Sequence, residues 1–154
     1  MTKVVKFGGS SLASAEQFKK VKEIITAESS RRFVVPSAPG KRFSNDTKVT
    51  DMLYGCYDLA AKGKDFSSEF DAIKERYYGI INDLGLDLSL DKEFETIKAC
   101  FIGKAGRDYA ASRGEYLNGI IMANYLGYEF IDAAEVIVFH EDGTFDAETT
   151  NEKL

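Results

Sequence analysis

The sequence predicts an α/β protein that combines a parallel-rich sheet with a large helical insertion. Two short apolar runs, residues 3–7 and 32–35, have the length and composition of strands. A helix is expected between them, because Ser14 opens the capping box Ser-Ala-Glu-Gln. Two strands joined by a helix favour parallel pairing with a right-handed crossover.

Apolar spacing and glycines predict the remaining elements. The first helix carries the stripe Phe18, Val21, Ile24 and Ile25. Between about residues 47 and 126 the spacing predicts consecutive helices, which end near Gly63, Gly85, Gly103 and Gly127. Their expected core faces are Val49, Leu53, Cys56 and Ala60; Phe66, Phe70, Ile73, Tyr77, Ile80 or Ile81, and Leu84; Phe94, Ile97 and Phe101; and Leu117, Ile120, Ile121 and Met122. Residues 128–132 and 136–139 are expected to be strands, and a last helix is expected to start near Asp146.

The composition is typical of one globular domain. The chain has 154 residues, of which 44% are hydrophobic and 29% charged. A net charge of −5 without a basic run argues against nucleic acid as a partner. Since there is neither a signal peptide nor an apolar stretch of membrane-spanning length, we expect a cytoplasmic protein with no membrane partner. Cys56 and Cys100 are expected to be buried free thiols, and one histidine with two scattered cysteines excludes a standard zinc site.

The most informative segment is residues 6–11, Lys-Phe-Gly-Gly-Ser-Ser, at the end of the first strand. Gly8 and Gly9 allow close approach to backbone N–H groups, and a helix start that follows adds its positive dipole end. Lys6 adds a charge, and Ser10 adds a hydroxyl donor. Because lysines are rarely buried without a partner, Lys6 should face an anion or an open cleft. The segment predicts a phosphate cradle that differs from the Walker pattern, and the alternative is a tight turn without a ligand.

A second candidate segment follows the second strand. Ser37 opens the loop Ser-Ala-Pro-Gly-Lys, and Thr50 lies in the later string Thr-Lys-Val-Thr-Asp. Open α/β sheets bind ligands at the carboxyl ends of their strands, so Ser37 and Thr50 are candidates to hold a small polar substrate. The alternative, which periodicity alone favours, is a plain connection with Asp46 or Thr47 as N-cap of the next helix.

The third segment is residues 112–115, Ser-Arg-Gly-Glu, inside a predicted helix. Gly114 there costs about 1 kcal/mol relative to alanine, which indicates that something approaches the helix closely. Glu115 is the candidate site residue, and a solvated charged face is the alternative. His140 is expected to be a surface turn residue with no role.

Together the three segments resemble one family. The strings Lys-Phe-Gly-Gly-Ser-Ser, Ser-Ala-Pro-Gly with Thr50-Asp51, and Ser-Arg-Gly-Glu match in order and spacing the N-terminal catalytic portion of aspartate kinase, in the amino-acid-kinase superfamily. The resemblance covers the whole chain. The first string differs from the related openings of glutamate, acetylglutamate, uridylate and carbamate kinases. The resemblance implies the amino-acid-kinase (carbamate-kinase-like) fold.

The activity that the resemblance implies is ATP-dependent phosphorylation of the side-chain carboxylate of L-aspartate, with Mg²⁺, to 4-phospho-L-aspartate. This reaction is the entry step to lysine, threonine and methionine synthesis. The resemblance implies these site residues: Lys6 for the transferring phosphate; Gly8, Gly9 and Ser10 for phosphate oxygens; Thr50 and Glu115 for the aspartate, with Glu115 on its ammonium group; and Ser37 in the active-site loop.

The chain departs from the family in two respects. Pro36 stands where the family has an apolar strand residue, so the end of the second strand is expected to be altered. The chain also stops before the Gly-Gly-Ser-Asp segment, the nucleotide-binding half and the ACT regulatory domains of the family. Residues 1–154 are therefore expected to be the N-terminal part of a catalytic domain from a protein that is a homo-oligomer at full length. Alone, they are expected to be inactive and either to self-associate or to be marginally stable. Two alternatives stay open: a non-catalytic anion-binding or interaction module, and an amino-acid kinase for a different acid.

Overall fold

A computed structural model describes the whole chain, residues 1–154. It confirms the α/β class, with one small sheet and a predominantly helical body. The elements in chain order are β1 (Lys3–Phe7), a 3₁₀ helix (Gly9–Leu12), α1 (Ala15–Thr26), β2 (Arg31–Pro36), α2 (Val49–Ala61), α3 (Ser67–Asp83), α4 (Asp91–Ile102), α5 (Arg107–Leu126), α6 (Ala133–Val136) and α7 (Ala147–Lys153).

The sheet consists of β1 and β2, which pair in parallel as predicted. Phe7 lies opposite Pro36, and the N–H of Ser37 donates to the Phe7 carbonyl at 3.0 Å. Pro36 therefore ends the strand without breaking the ladder, because its pairing with Phe7 keeps the register of the preceding residues. Both strands finish at the same edge, so the chain segments that follow them start side by side.

The prediction that β1 is a buried strand is wrong for one of its faces. Val5 and Phe7 pack against the core, whereas Val4 is 69% exposed, and Phe33 on the neighbouring strand is 55% exposed. Side chains alternate across a strand, and the helices of this chain cover only one side of the two-stranded sheet.

Helices α2 to α5 form most of the core, and their predicted apolar faces are confirmed. A cluster of 23 buried residues joins these helices to α1 and includes almost all of the predicted positions; Ile120 and Leu84 are half-buried at its edge. Ile24 is the exception on α1, because it is 48% exposed while Phe18, Val21 and Ile25 are buried. The helices end where glycines were expected to end them, with positive φ angles at residues 63, 85 and 127.

The predicted strands at residues 128–132 and 136–139 are wrong. The first segment has no regular structure, and the second contains the end of α6 and a single bridge between Phe139 and Phe145. Ile131, Ile137 and Phe139 are exposed, so the apolar runs have no neighbouring strand with which to form a ladder. The expected last helix is present as α7, because the Asp146 carboxylate accepts the N–H of Thr149 at 2.9 Å.

The two cysteines differ from one another. Cys56 is a buried free thiol whose pKa is raised to about 12 by burial, as expected for an unreactive core residue. Cys100 is also a free thiol but only half-buried, so the expectation that both are buried is wrong for this residue.

None of the helices combines the length and the apolar character needed to cross a bilayer.

Candidate functional site

A pocket of about 490 Å³ opens at the carboxyl edge of the sheet. We call residues 8–11 the glycine loop and residues 37–48 the Ser37 loop. The pocket lies between these loops, the first turn of α2 and the middle of α5. It is lined by Gly9, Ser10, Ser37, Ala38, Pro39, Gly40, Lys41, Lys48, Thr50 and Glu115. The structure thus brings together five of the seven residues that the sequence singled out. Lys6 and Gly8 lie next to the pocket in sequence but are not part of its lining.

The glycine loop presents unpaired backbone donors. The N–H groups of Gly8, Gly9 and Ser10 donate no backbone hydrogen bond, because they precede or begin the 3₁₀ helix. The expected dipole of an α-helix is not at this place: α1 starts at Ala15, and only the four-residue 3₁₀ helix follows the glycines directly. An anion here would be held by the N–H groups themselves rather than by a long helix dipole.

Gly9 lacks a side chain for a different reason from the one that the sequence suggested. A Cβ atom on Gly9 would lie 3.0 Å from the carbonyl oxygen of Ala38 and 3.2 Å from the Cα of Gly40. A Cβ atom on Gly40 would lie 2.6 Å from the carbonyl carbon of Gly9, and the Gly40 N–H donates to the Gly9 carbonyl at 2.8 Å. The two glycines therefore permit contact between the two loops. Gly8, by contrast, has open space around it.

Lys6 is exposed and forms no ion pair within the chain. Of the two environments expected for it, an internal anion or an open cleft, the structure shows the open one. In the sheet Lys6 lies opposite Val35, two residues before Ser37. Lys6 therefore lies at the end of β1, directly before the glycine loop.

Helix α5 holds the first residues of the Ser37 loop. The Asn118 side-chain amide donates to the Ser37 carbonyl at 2.7 Å, and the Glu115 carboxylate accepts the N–H of Ala38 at 3.4 Å. A Cβ atom on Gly114 would lie 2.8 Å from the Cβ of Ala38, so the loop packs directly on the helix backbone. The close approach that Gly114 predicted is thus the approach of the Ser37 loop. Tyr77 fixes this turn of α5, since its hydroxyl donates to the Gly114 carbonyl at 2.8 Å.

The alternative in which Asp46 or Thr47 is the N-cap of the next helix is wrong. Helix α2 has Lys48 as its N-cap residue, and its first N–H, that of Val49, donates to the Pro39 carbonyl at 3.1 Å. Asp46 instead receives a bidentate contact from Arg42 at 2.6 and 2.8 Å. These hydrogen bonds hold the pKa of the Asp46 carboxyl far below its usual range. The Asp46 carboxylate does not cap α2, because the loop folds back so that this carboxylate binds Arg42.

Three basic residues of this region were not identified from the sequence. Lys41 and Lys48 line the pocket. The only features of the sequence that could have indicated this are that Lys41 follows a glycine and that Lys48 directly precedes a helix. Arg76 on α3 is buried against the Ser37 loop, and burial lowers the pKa of its guanidinium. Nothing near Arg76 in sequence indicated this, because it lies 29 residues beyond Thr47, one of its hydrogen-bond partners.

The charges around the pocket suit a ligand that carries both signs. Lys41 and Lys48 with the unpaired N–H groups can hold anionic oxygens, while Glu115 is exposed to the same pocket and can accept a cation. Glu115 is also the only carboxylate in the lining, and the structure contains no group of three His, Cys, Asp or Glu side chains with metal-ligand spacing. These donors do not form a protein-held metal site.

Comparisons with known proteins show that the chain is similar to amino acid kinases, aspartate kinases among them. It matches the model of the amino acid kinase family over residues 1–153. Aspartokinase 3 of Bacillus subtilis (strain 168) is 38% identical over 140 residues, which are 87% of this chain and 31% of that protein. The aspartate kinase of Clostridium acetobutylicum superposes with a TM-score of 0.94 at 49% identity, covering 99% of this chain and 36% of that one. E. coli aspartokinase III, solved with aspartate and ADP, has a TM-score of 0.79 at 20% identity, again over 99% and 36%. The chain therefore spans about a third of the length of these relatives.

Proposed function

Because this chain belongs to the amino acid kinase family, we propose that the intact protein, meaning the polypeptide that carries residues 1–154, phosphorylates L-aspartate with ATP. The product is 4-phospho-L-aspartate. Two relatives support the substrate: one is named an aspartokinase at 38% identity, and one is an aspartate kinase at 49% identity and a TM-score of 0.94.

The observation that carries the proposal is the juxtaposition of the two loops in one pocket. Gly9 and Ser10 offer N–H groups on one wall, and Thr50 and Glu115 offer a hydroxyl and a carboxylate on another. Phosphoryl transfer depends on positioning and on neutralising charge, so a site with donors for phosphate beside a site for a small amino acid is the essential arrangement.

We assign roles according to this arrangement. The N–H groups of the glycine loop and the ammonium of Lys6 bind phosphate oxygens, and Glu115 binds the α-ammonium of aspartate with Thr50 beside it. The aspartate side-chain carboxylate then attacks the γ-phosphorus, the bond to the bridging oxygen breaks, and ADP leaves with the electron pair. No general base is needed, because the nucleophile is already ionised at neutral pH.

Mg²⁺, which the family resemblance implies, is not assigned to residues of this chain. Glu115 alone supplies a carboxylate to the pocket, and it is committed to the amino acid. Mg²⁺ is commonly held by substrate phosphates and water with few protein ligands, so we place it with the nucleotide.

The test is a coupled assay of ADP release by the intact protein, with L-aspartate, L-glutamate and N-acetyl-L-glutamate as acceptors. We expect turnover with L-aspartate alone. Turnover with one of the other acids favours a kinase for a different acceptor. If all three acids are inactive but the chain binds ATP or pyrophosphate in calorimetry, the non-catalytic anion-binding module is supported instead.

A cytoplasmic location and homo-oligomerisation of the intact protein stay predictions. Cell fractionation tests the location, and light scattering tests the oligomeric state.

A further inference from the structure

Arg76 contributes nothing to the pocket lining, and yet it contacts the outer side of the loop that forms one pocket wall. It lies on α3 and is only 7% exposed. A buried guanidinium requires partners, because leaving its donors unpaired in the interior is costly. Its partners therefore show what it does in the fold.

Two of the partners are backbone carbonyls near the two ends of the Ser37 loop. Nη2 donates to the Gly40 carbonyl at 2.9 Å, and Nη1 donates to the Thr47 carbonyl at 3.1 Å. The guanidinium is a rigid planar fork, so it fixes the distance between these two carbonyls. The six residues between them, 41–46, are thereby closed into a loop of defined shape.

The third partner is Asp46, whose carboxylate lies 3.4 Å from Nη1 of Arg76. The same carboxylate is held by Arg42 from the solvent side. The ion pair balances the buried charge of Arg76. The carbonyl contacts are the shorter ones and are made by Arg76 alone.

Through Gly40 the contact extends to the other wall of the pocket. The Gly40 N–H donates to Gly9 at 2.8 Å, and the Pro39 carbonyl accepts the first N–H of α2, one residue before Thr50. Arg76, Gly40 and Gly9 thus form a continuous chain of contacts from α3 to the glycine loop.

We propose that Arg76 is a positioning residue that holds the Ser37 loop against the glycine loop, so that the phosphate side and the amino-acid side of the pocket face each other. The reaction in which it acts rests on the proposed function, but its effect on the loop does not. Arg76 touches neither substrate, and it acts through the Gly40 and Thr47 carbonyls.

The experiment compares Arg76→Met and Arg76→Lys with the wild type in the intact protein. Hydrogen exchange followed by mass spectrometry reports on the peptide covering residues 37–50, which contains the amides of Gly40 and Val49. We expect about tenfold faster exchange in the methionine variant, with unchanged exchange in the peptide that covers α4. Lysine keeps the charge and can reach one carbonyl, so its effect should be intermediate. If the methionine variant does not fold, the lysine variant decides.

A matched control is Arg107→Met, which removes an equal charge from an exposed arginine paired with Asp58, outside the pocket lining. In activity, Arg76→Met should raise the KM for L-aspartate and lower kcat by about tenfold each, with Arg76→Lys partly restoring both, whereas Arg107→Met should change neither. Unchanged exchange at residues 37–50, or a uniform rise in every helix, overturns the positioning role. Absence of turnover in the wild type refutes the proposed function, and the exchange result still decides the role of Arg76.

Discussion

The glycine loop and the Ser37 loop leave adjacent strand ends, but they are held in opposite ways. The glycine loop offers unpaired N–H groups, and the one backbone hydrogen bond that it forms with another segment is with the Ser37 loop at Gly40. The Ser37 loop is held by side chains from two helices, Asn118 and Glu115 on α5 and Arg76 on α3. One wall of the pocket is therefore built by local backbone geometry and the other by distant side chains.

Because of this difference, substitutions in the two loops should affect ligand binding and stability differently. A change in the glycine loop should affect ligand binding directly, because nothing else in the fold depends on its N–H groups. A change around the Ser37 loop should affect both stability and binding, because the groups that shape the loop are also part of the core. Substitutions in and around the two loops test this separation.

Lys6→Ala should have the largest effect on activity. Removing one charge contact to the transferring phosphate is expected to lower kcat by about 10²–10³-fold. Since Lys6 is exposed and unpaired, the free energy of unfolding should change by less than about 0.5 kcal/mol. Steady-state kinetics and urea denaturation of the intact protein measure the two effects. Lys3→Ala, on the same strand and paired with Glu28, is the control and should retain activity. Normal turnover in Lys6→Ala would refute the role.

Glu115→Gln should act on one substrate only. The change keeps the size of the side chain and an acceptor for the Ala38 N–H, but it removes the charge that we propose binds the aspartate ammonium. We expect the KM for L-aspartate to rise by about 10–100-fold, with little change in the KM for ATP. Glu95→Gln on the exposed face of α4 is the matched control. A defect confined to ATP would show that Glu115 belongs to the phosphate side of the pocket.

Gly114→Ala and Gly55→Ala should change stability in opposite directions. Alanine is favoured over glycine inside a helix by up to about 1 kcal/mol, and Gly55 has open space for a Cβ atom. At Gly114 the new methyl group meets the Cβ of Ala38 at 2.8 Å, so the loop must move at a cost of about 1–3 kcal/mol. Chemical denaturation of both variants measures the difference. Equal stabilisation by the two changes would mean that the loop is not packed on α5.

Asp46→Asn should have the smallest effect, and the effect should depend on pH. The folded pKa of Asp46 is depressed by its arginine partners, so its stabilising contribution is present above the unfolded pKa of about 3.9 and is lost as pH falls toward the folded pKa. We expect the variant to be about 1 kcal/mol less stable at pH 7, since Arg42 is half exposed and screened and Arg76 keeps its two carbonyl acceptors. The difference from the wild type should shrink between about pH 5 and pH 2. A difference that stays constant over this range would exclude the ionised pair as its cause.

Secondary structure was predictable where local periodicity and glycines agreed. The helices from Val49 to Leu126 have continuous apolar faces and end at residues that can adopt positive φ, so their prediction needed no tertiary information. The runs at residues 128–132 and 136–139 failed because a strand needs a partner, and composition alone cannot show whether one is present.

Five of the ten residues that line the pocket were predictable from the sequence, but the contacts that build the pocket were not. Lys6, Gly9, Ser10, Ser37, Thr50 and Glu115 are short-range signals, in which each residue type suggests a chemical task in its own segment. Asp46 could not be assigned correctly, because its carboxylate is equally suited to a helix cap and to an arginine partner. Which of these it serves depends on how the loop folds back.

The sequence by itself determined the α/β class, the faces of the long helices and five of the ten residues that line the pocket, because these depend on periodicity, glycine and charge within a few positions. Only the tertiary structure decided that the backbones of Gly9 and Gly40 are in contact and that Ala38 packs on Gly114. It also decided that Arg76 donates to the Gly40 carbonyl from the side of the loop opposite the pocket. Those contacts join residues about 30 to 80 positions apart, and their energies depend on burial and on distances that arise only when the helices pack.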